Sequence, residues 1–162
     1  METSLTKLLH RENNGEIILE EISIGEFVKN LIDKAGTQPL RELPLAELLQ
    51  YGHLRGWLED SDERHPEAPL NRQTAARIVH QFLRIECGVK DLADISRANC
   101  LRDLYTCRVC TNHIAQVYVR GIMTAEEIEP GVLIFNHLAL VTKSESCEII
   151  SYATINRSQC KE

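Results

Sequence analysis

Apolar residues recur every three or four positions in several segments of the chain, which is the spacing of an amphipathic helix. One segment follows a capping box formed by Ser23 and Glu26, which satisfy each other's free backbone N–H groups, and it ends at Gly36. A second begins near Pro44, which a first helical turn tolerates, and runs to Gly56. These signals predict the first two helices.

Three further helices are predicted downstream. Asn71 caps a helix whose apolar face continues to Leu83. Another helix is predicted over roughly 100–120. A second capping box, Thr142–Glu145, predicts a last helix over 143–156.

The residue pattern of the N-terminal segment predicts a small β-hairpin over residues 4–22. Asn14 and Gly15 supply the positive φ angles of a tight turn, and an Ile-rich run follows them. A short helix over residues 3–11 is the alternative. Under both interpretations this part of the chain is structural.

Composition narrows the class of protein. The chain has 162 residues, of which 43% are hydrophobic and 26% charged, enough for one domain with its own core. Its longest apolar runs, such as 132–135, are far shorter than a membrane span, so no membrane insertion is expected. The formal net charge of −6 argues against a protein that binds the phosphate backbone of nucleic acids.

The signals for compartment and redox state are indirect. Residues 1–11 are followed by turn residues rather than by the apolar stretch of a secretory signal, which favours a cytoplasmic protein or a piece of a larger one. Six cysteines could form three disulfides. Because a chain with its own core does not need them, the cysteines are expected to be mostly reduced.

Three helix starts repeat one pattern. In each, an apolar residue (Ile22, Leu70 or Val141) directly precedes the capping residue, as a hydrophobic staple requires. Units of this kind cannot bury their apolar faces alone, so the copies should share one core. Five residues after the caps, the predicted inner positions are Val28, Ala76 and Cys147.

Two helix ends also match each other. Arg55-Gly56-Trp57-Leu58 and Arg120-Gly121-Ile122-Met123 each place an Arg before the Gly that ends the helix and two large apolar residues after it. The repeating unit is therefore a helix that ends at Gly, a loop, and a capped second helix. The second helix occurs three times and the first twice.

These elements resemble those of the S-layer homology family. Its unit has a helix ending in Gly and an aliphatic pair, and a signature close to Val-Thr-Arg-Ala-Glu opens the second helix. The matching segments are Gly121-Ile122-Met123 with Val141-Thr142-Lys143-Ser144-Glu145, Gly56-Trp57-Leu58 with Pro69-Leu70-Asn71-Arg72-Gln73, and, for the second element alone, 22–28. The resemblance covers about residues 20–156.

The resemblance implies a fold and a location. In the family, three units form an all-α, pseudo-threefold bundle that anchors exported proteins to cell-wall polysaccharide, which is often pyruvylated. It implies that this chain is one mainly all-α domain over 1–162, with the N-terminal hairpin added. The implied parts are an arm at 1–22, a partial unit at 23–36, and units at 44–87 and 100–156. A cell-surface location is implied as well, in contrast to the cytoplasmic one that the missing signal favours.

The resemblance also implies where a ligand binds. The family uses its signature Arg in the grooves between units, where an anionic cell-wall glycan or a protein partner would be held by charge-assisted hydrogen bonds and by stacking on a sugar face. The residues assigned to this role are Arg72, Lys143, Arg55, Arg120 and Trp57. Of the three signature positions only Arg72 keeps the Arg, since Ile24 and Lys143 occupy the others, and Lys offers a point charge in place of a planar fork. The chain therefore resembles a degenerate or repurposed member.

Some of these residues also have structural interpretations. Trp57 matches Ile122 in the repeat, which favours a buried packing role. Arg55 and Arg120 could instead bond the terminal carbonyls of their own helices. The acidic segment 59–69 is predicted to be a solvated loop, because its spacing is not that of a calcium-binding EF-hand.

A cysteine cluster is the strongest candidate for chemistry. Cys100, Cys107, Cys110 and His113 read C-x6-C-x2-C-x2-H, which could hold zinc, and the C-x-x-C could be a redox pair. On the predicted helix over 100–120, Cys107 and Cys110 fall on the apolar face, so core thiols are the favoured interpretation. A redox C-x-x-C should open a helix, whereas this one is predicted in the middle of one.

The sequence favours a non-enzymatic protein without a cofactor, because it carries no catalytic Ser/His/Asp order, phosphate loop or paired-carboxylate motif. The leading hypothesis is the glycan- or protein-binding module described above. The alternatives are an intracellular scaffold or homo-oligomer subunit that has lost glycan binding, and a thiol or zinc protein built on the cysteine cluster.

Overall fold

The computed structural model describes residues 20–159 of the chain, which form a mainly helical fold with one small β-hairpin. The α-helices are α1 (Ile24–Ala35), α2 (Gln38–Arg41), α3 (Leu45–Arg55), α4 (Asp60–Arg64), α5 (Arg72–Gln81), α6 (Thr111–Val119) and α7 (Lys143–Gln159). The strands are β1 (Glu126–Glu129) and β2 (Val132–Ile134). Shorter turns comprise a π-helical turn, Phe82–Glu86, and 3₁₀ turns at Ser96–Cys100 and Arg108–Cys110. The N-terminal hairpin predicted over 4–22 lies outside the described residues, except for 20–22.

Three of the helices begin at the predicted caps. The Ser23 hydroxyl accepts a hydrogen bond from the Glu26 amide (3.1 Å), which opens α1. The Asn71 side chain accepts one from the Thr74 amide (2.9 Å), which opens α5. At α7 the residue in the same role is Thr142, whose hydroxyl accepts from the amide three residues later (3.0 Å). The three predicted helix starts are confirmed. They were predictable because each capping hydrogen bond joins residues only three positions apart.

The residues ahead of the three caps join in a closed ring of backbone hydrogen bonds. The Ile22 amide donates to the Val141 carbonyl (3.1 Å), Val141 donates to Leu70 (2.9 Å), and Leu70 donates back to Ile22 (3.0 Å). All three side chains are buried. A second set of bonds, one residue beyond each cap, joins Ile24 to Ala68, Arg72 to Ala139 and Lys143 to Glu20. The ring therefore fixes the N-termini of α1, α5 and α7 against one another.

The core is one continuous apolar cluster that runs from Ile22 to Ala153 along the chain. Within it α5 packs against α6, and α1 packs against α7. Trp57 is fully buried and meets the Phe82 ring edge to face at 5.3 Å between centroids. The rings of aromatic residues thus fill the centre of the fold.

The prediction for one inner position of the last helix is wrong. Cys147 was expected on the buried face of α7, but it is exposed, and Ser146 is buried in its place. The Ser146 hydroxyl donates to the Lys143 carbonyl (2.9 Å), so this small polar side chain is satisfied inside the fold.

The helix predicted over roughly 100–120 is also wrong in its first half, since the α-helix begins only at Thr111. Long-range bonds hold the earlier residues out of a helix. The Arg102 amide donates to the Leu133 carbonyl (2.8 Å). The Asp103 carboxylate accepts from the amides of Phe135 (2.7 Å) and Asn136 (2.8 Å). The β-hairpin thus captures this segment, and tertiary contacts outweigh its helical pattern.

The acidic segment 59–69 is not simply a solvated loop. It contains α4, whose capping box pairs Glu59 with Asp62. Asp62 is buried and receives two hydrogen bonds from the Arg77 guanidinium, at 2.8 and 3.1 Å. A buried carboxylate needs such a partner, which the sequence pattern did not reveal.

Within residues 20–159, none of the helices combines the length and the apolarity that crossing a membrane requires.

Candidate functional site

The ring brings the residue after one cap beside the third residue after the next cap at three places. At the first, Arg72 pairs with Glu145, and both line a cavity. At the second, Lys143 pairs with Glu26 (3.6 Å). At the third, Ile24 lines a cavity that also includes Thr74, the third residue after the Asn71 cap. The two cavities are called the Arg72 groove and the Ile24 groove.

The Arg72 guanidinium is buried and contacts a carboxylate, two backbone carbonyls and an aromatic ring. It donates to the Glu145 carboxylate and to the carbonyls of Thr124 and Phe135, the last at 2.8 Å. It also lies over the Phe135 ring, 4.5 Å from the centroid. The signature Arg is therefore held rigidly, with its charge already balanced by one carboxylate.

Burial acts on both members of this ion pair. It lowers the pKa of Arg72 from its usual value, although nearby carboxylates oppose the change. It raises the pKa of the Glu145 carboxyl, since loss of solvation outweighs the attraction of the Arg72 charge. Burial therefore opposes ionisation of Glu145, while the charge and the hydrogen bond of Arg72 favour it.

A cavity of about 220 Å³ opens beside this pair. Its lining mixes carboxylates, an amide and apolar groups, and consists of Arg72, Thr124, Ala125, Glu126, Asn136, Ala139, Leu140 and Glu145. The Asn136 side-chain amide donates to the Glu126 carboxylate (2.9 Å). The cavity has the polar and apolar groups that a sugar or a peptide segment would need.

Lys143 is more exposed than Arg72. Its ammonium lies 3.3 Å from a carboxylate oxygen of Glu20 and 3.6 Å from one of Glu26. The hydrogen bond to Glu20 and the charge of Glu26 raise the pKa of Lys143. This cation, like Arg72, therefore already faces carboxylates of its own chain.

Trp57 cannot act as a surface platform, because its ring has no exposed area. Its indole N–H donates to the Glu86 carboxylate (3.0 Å). The same carboxylate accepts from the Tyr51 hydroxyl (2.7 Å) and from Arg55 Nε (3.2 Å). Trp57 thus has the buried packing role that its match to Ile122 in the repeat favoured.

Arg55 and Arg120 do not bond the carbonyls of their own helices. Arg55 donates to the Ile85 carbonyl and Arg120 to the Lys90 carbonyl. Neither residue lines the cavity of the Arg72 groove or of the Ile24 groove. They secure the segment that follows α5, at a distance from the grooves.

The four residues of the cysteine cluster do not form a common ligand set, although Cys107, Cys110 and His113 line one cavity. Cys107 and Cys110 form a disulfide, which contradicts the expectation of reduced core thiols. Cys100 is exposed, with its sulfur 3.4 Å from the Tyr118 hydroxyl. His113 faces another histidine instead. Since the disulfide sulfurs are not thiolates, this arrangement does not supply a zinc ligand set.

A histidine pair was missed by sequence reasoning. His80 Nδ1 lies 2.8 Å from His113 Nδ1, and His80 Nε2 lies 2.7 Å from Asp91. Burial and the charges of His80 and Arg77 lower the pKa of His113 to about 4. The two histidines are far apart in sequence and occupy different helices, so no spacing rule connects them.

One further group of potential ligands lies on the surface. Among residues 20–159, the ligand atoms of His53, Asp60 and Glu63 lie within 4.8 Å of one another. The His53–Glu63 contact itself is 2.7 Å. Asp60 is exposed and already pairs with Arg64 (2.9 Å). These contacts explain the group as surface ion pairs.

No protein-family model matches the chain, and a comparison with curated proteins returned no match either.

Proposed function

We propose that this chain is a non-enzymatic binding module built from three units like those of the S-layer homology family, and that its ligand occupies a groove between units. The observation that carries the proposal is the closed ring through Ile22, Leu70 and Val141. The ring supports the proposal, because it joins three helix starts of one pattern through their backbones. In the proposed arrangement, a groove lies between each pair of neighbouring units.

The Arg72 groove is the proposed ligand site. It combines a rigid planar guanidinium with a cavity of about 220 Å³. The proposed ligand is a glycan that presents one carboxylate and several hydroxyl groups. Its carboxylate takes the place of Glu145 beside the Arg72 guanidinium. The Glu126 carboxylate then accepts hydrogen bonds from the hydroxyls, and the Asn136 amide donates hydrogen bonds to them.

The pairing of Arg72 and Lys143 with carboxylates of the same chain supports a second function. Arg72 faces Glu145, and Lys143 faces Glu20 and Glu26, so both charges are neutralised before any ligand arrives. Leu138 and Leu140 beside the Arg72 groove are 69% and 40% exposed. These features favour a scaffold that binds a protein partner and has lost the glycan site.

Co-sedimentation with purified cell-wall sacculi tests the first function. Sacculi that retain their anionic polysaccharide are compared with sacculi stripped of it. The wild-type chain should pellet with the first and not with the second. Arg72→Lys keeps the charge but loses the planar fork, so it should pellet at least roughly fivefold less. Arg64→Ala, in an exposed ion pair, is the matched control and should pellet like the wild type.

Two outcomes would remove the glycan proposal. One is the absence of pelleting with both kinds of sacculi. The other is equal pelleting of the wild type and Arg72→Lys. Under either outcome, concentration-dependent light scattering and pull-down with Leu140→Asp as the comparison would examine the scaffold function.

A further inference from the structure

A disulfide lies at the mouth of the Ile24 groove. The cavity of this groove has a volume of about 340 Å³, and both Cys107 and Cys110 contribute to its lining. Gln73, Thr74 and His113 line it as well. The bond is therefore not enclosed in the core but borders a space that a peptide segment can enter.

The two cysteines occupy different positions relative to the helix. The 3₁₀ turn Arg108–Cys110 runs directly into α6, so one helical segment extends from residue 108 to residue 119. Cys107 precedes this segment in an extended conformation, with φ −117° and ψ 106°. The C-x-x-C pair therefore opens a helix, which is the arrangement that sequence reasoning had excluded. The helix dipole at this end stabilises a thiolate.

The surroundings of the two sulfurs also differ. Cys110 packs against the hydrophobic core, and Cys107 is not part of that packing. The residue between them, Val109, is 84% exposed and also lines the cavity. An apolar, exposed side chain beside a reactive pair offers a contact for a bound peptide. Both cysteines are half-buried, so the two sulfurs differ in the core contact of Cys110 and in the position of Cys107 ahead of the helix.

The charged groups of the cavity carry a small excess of negative charge. They are Arg77 and two carboxylates, and Arg77 forms two hydrogen bonds with Asp62 and lies 3.6 Å from a carboxylate oxygen of Glu59. His113 stays uncharged at neutral pH, because burial and neighbouring positive charges lower its pKa. A neutral or basic peptide is therefore favoured at the pair.

We propose that Cys107 and Cys110 are a thiol–disulfide exchange site that oxidises a dithiol in a cysteine-containing peptide bound in the Ile24 groove. A thiolate of the peptide attacks the Cys107 sulfur, and the Cys107–Cys110 bond breaks with its electron pair going to the Cys110 sulfur, which then takes a proton. The second peptide thiolate attacks the peptide sulfur of the mixed disulfide and releases Cys107 as a thiolate. The peptide loses two electrons and becomes a disulfide, while the protein gains them and becomes a dithiol. This activity is independent of the ligand proposed for the Arg72 groove.

The test uses the full chain, purified without reductant, and a reduced synthetic peptide with two cysteines, under exclusion of oxygen. Chromatography measures the cyclised peptide. One peptide should be cyclised per protein disulfide, as a two-electron exchange requires. Cys107→Ser should cyclise none. Cys100→Ser alters an exposed cysteine outside the disulfide, and should match the wild type.

A trapping experiment separates exchange from a structural role. With the oxidised peptide as the probe, Cys110→Ser should accumulate a mixed disulfide through Cys107. Cys107→Ser should accumulate roughly tenfold less, because its remaining thiol packs against the core. Both variants lose the same disulfide, so any loss of stability is shared between them. Equal trapping by the two variants, or a wild-type disulfide that reacts only after denaturation, would overturn the proposal.

Discussion

Removal of Arg72 should cost far more stability than neutralisation of its partner. Arg72→Ala leaves the Glu145 carboxylate without its cation and deprives the Thr124 and Phe135 carbonyls of their donor. Breaking a buried ion pair by removing one member costs about 3–5 kcal/mol. Because the Glu145 side chain is still 27% exposed, solvent screening puts the expected loss near the lower end, at about 3 kcal/mol. That corresponds to a melting temperature lower by roughly 10 °C for a chain of this size.

The opposite member of the pair should behave differently. Glu145→Gln keeps the size and one acceptor oxygen, and it removes an ionisation that the fold disfavours. The Arg72 guanidinium keeps its hydrogen bonds to the Thr124 and Phe135 carbonyls in this variant, so the cost at neutral pH should be smaller than that of Arg72→Ala, at about 1–2 kcal/mol. The pKa of Glu145 is raised in the folded state, so its stabilising contribution is complete below its unfolded value of 4.5 and is lost as the pH rises through the folded pKa. The stability of the wild type relative to Glu145→Gln should therefore decrease from pH 4 upward.

Urea unfolding followed by tryptophan fluorescence measures both changes. Trp57 is the one tryptophan of the chain and is fully buried, so its emission reports loss of the core. Arg64→Ala removes an exposed ion pair and should change the free energy of unfolding by less than about 0.5 kcal/mol. An Arg72→Ala variant within about 1 kcal/mol of the wild type would refute this reasoning. So would a Glu145→Gln variant that is destabilised as strongly as Arg72→Ala.

Three other predictions concern groups outside the Arg72 groove. Gly56→Ala should lower the free energy of unfolding by about 1 kcal/mol, because φ is +99° there, and an unchanged urea midpoint would contradict this. The folded pKa of His113, about 4, lies below its unfolded value of 6.5, so its contribution to stability should be lost as the pH falls from 6.5 toward 4. His113→Gln should flatten this pH dependence in urea unfolding, and an unaltered slope would count against it. Burial and the Glu86 carboxylate raise the pKa of Tyr51, so Glu86→Gln should lower the pH at which its phenol ionises, as followed by ultraviolet absorbance. If the titration midpoint of Tyr51 does not change in this variant, Glu86 is not a cause of the raised pKa.

The helix starts are the part of the fold that could be predicted well from the sequence. Ser23, Asn71 and Thr142 each cap a helix through a bond that spans three residues, and such a bond depends only on neighbours in the chain. The apolar residues before these caps, which the sequence indicated as hydrophobic staples, are buried. Their backbone ring was not foreseeable, because it joins residues that lie far apart in sequence.

The errors lie where long-range contacts overrule the local pattern. Residues 100–110 have helical periodicity, yet Asp103 binds the amides of the segment after β2. This moved the start of α6 to Thr111 and thus placed Cys107 ahead of a helix instead of within one. The hairpin itself was missed, since strands of four and three residues carry too little pattern.

Ligand binding in grooves between units stays a prediction. The repeat gave Arg72 and Lys143 equivalent positions, one residue after a helix cap. It did not indicate that Glu145 and Glu26 would neutralise them, because an ion pair between separate units leaves no spacing signal. Trp57 was assigned to the site and lies in the core, as its match to Ile122 in the repeat had favoured.

The most direct test of the ligand site is to compare Glu145→Gln with the wild type on sacculi that carry anionic polysaccharide. Neutralising Glu145 frees the Arg72 guanidinium for a ligand carboxylate, so the variant should pellet at a lower sacculus concentration, by roughly three- to tenfold. The gain should disappear in Glu145→Gln combined with Arg72→Lys. Binding that is unchanged or weakened by Glu145→Gln would contradict the claim that an anionic ligand replaces Glu145 in the Arg72 groove.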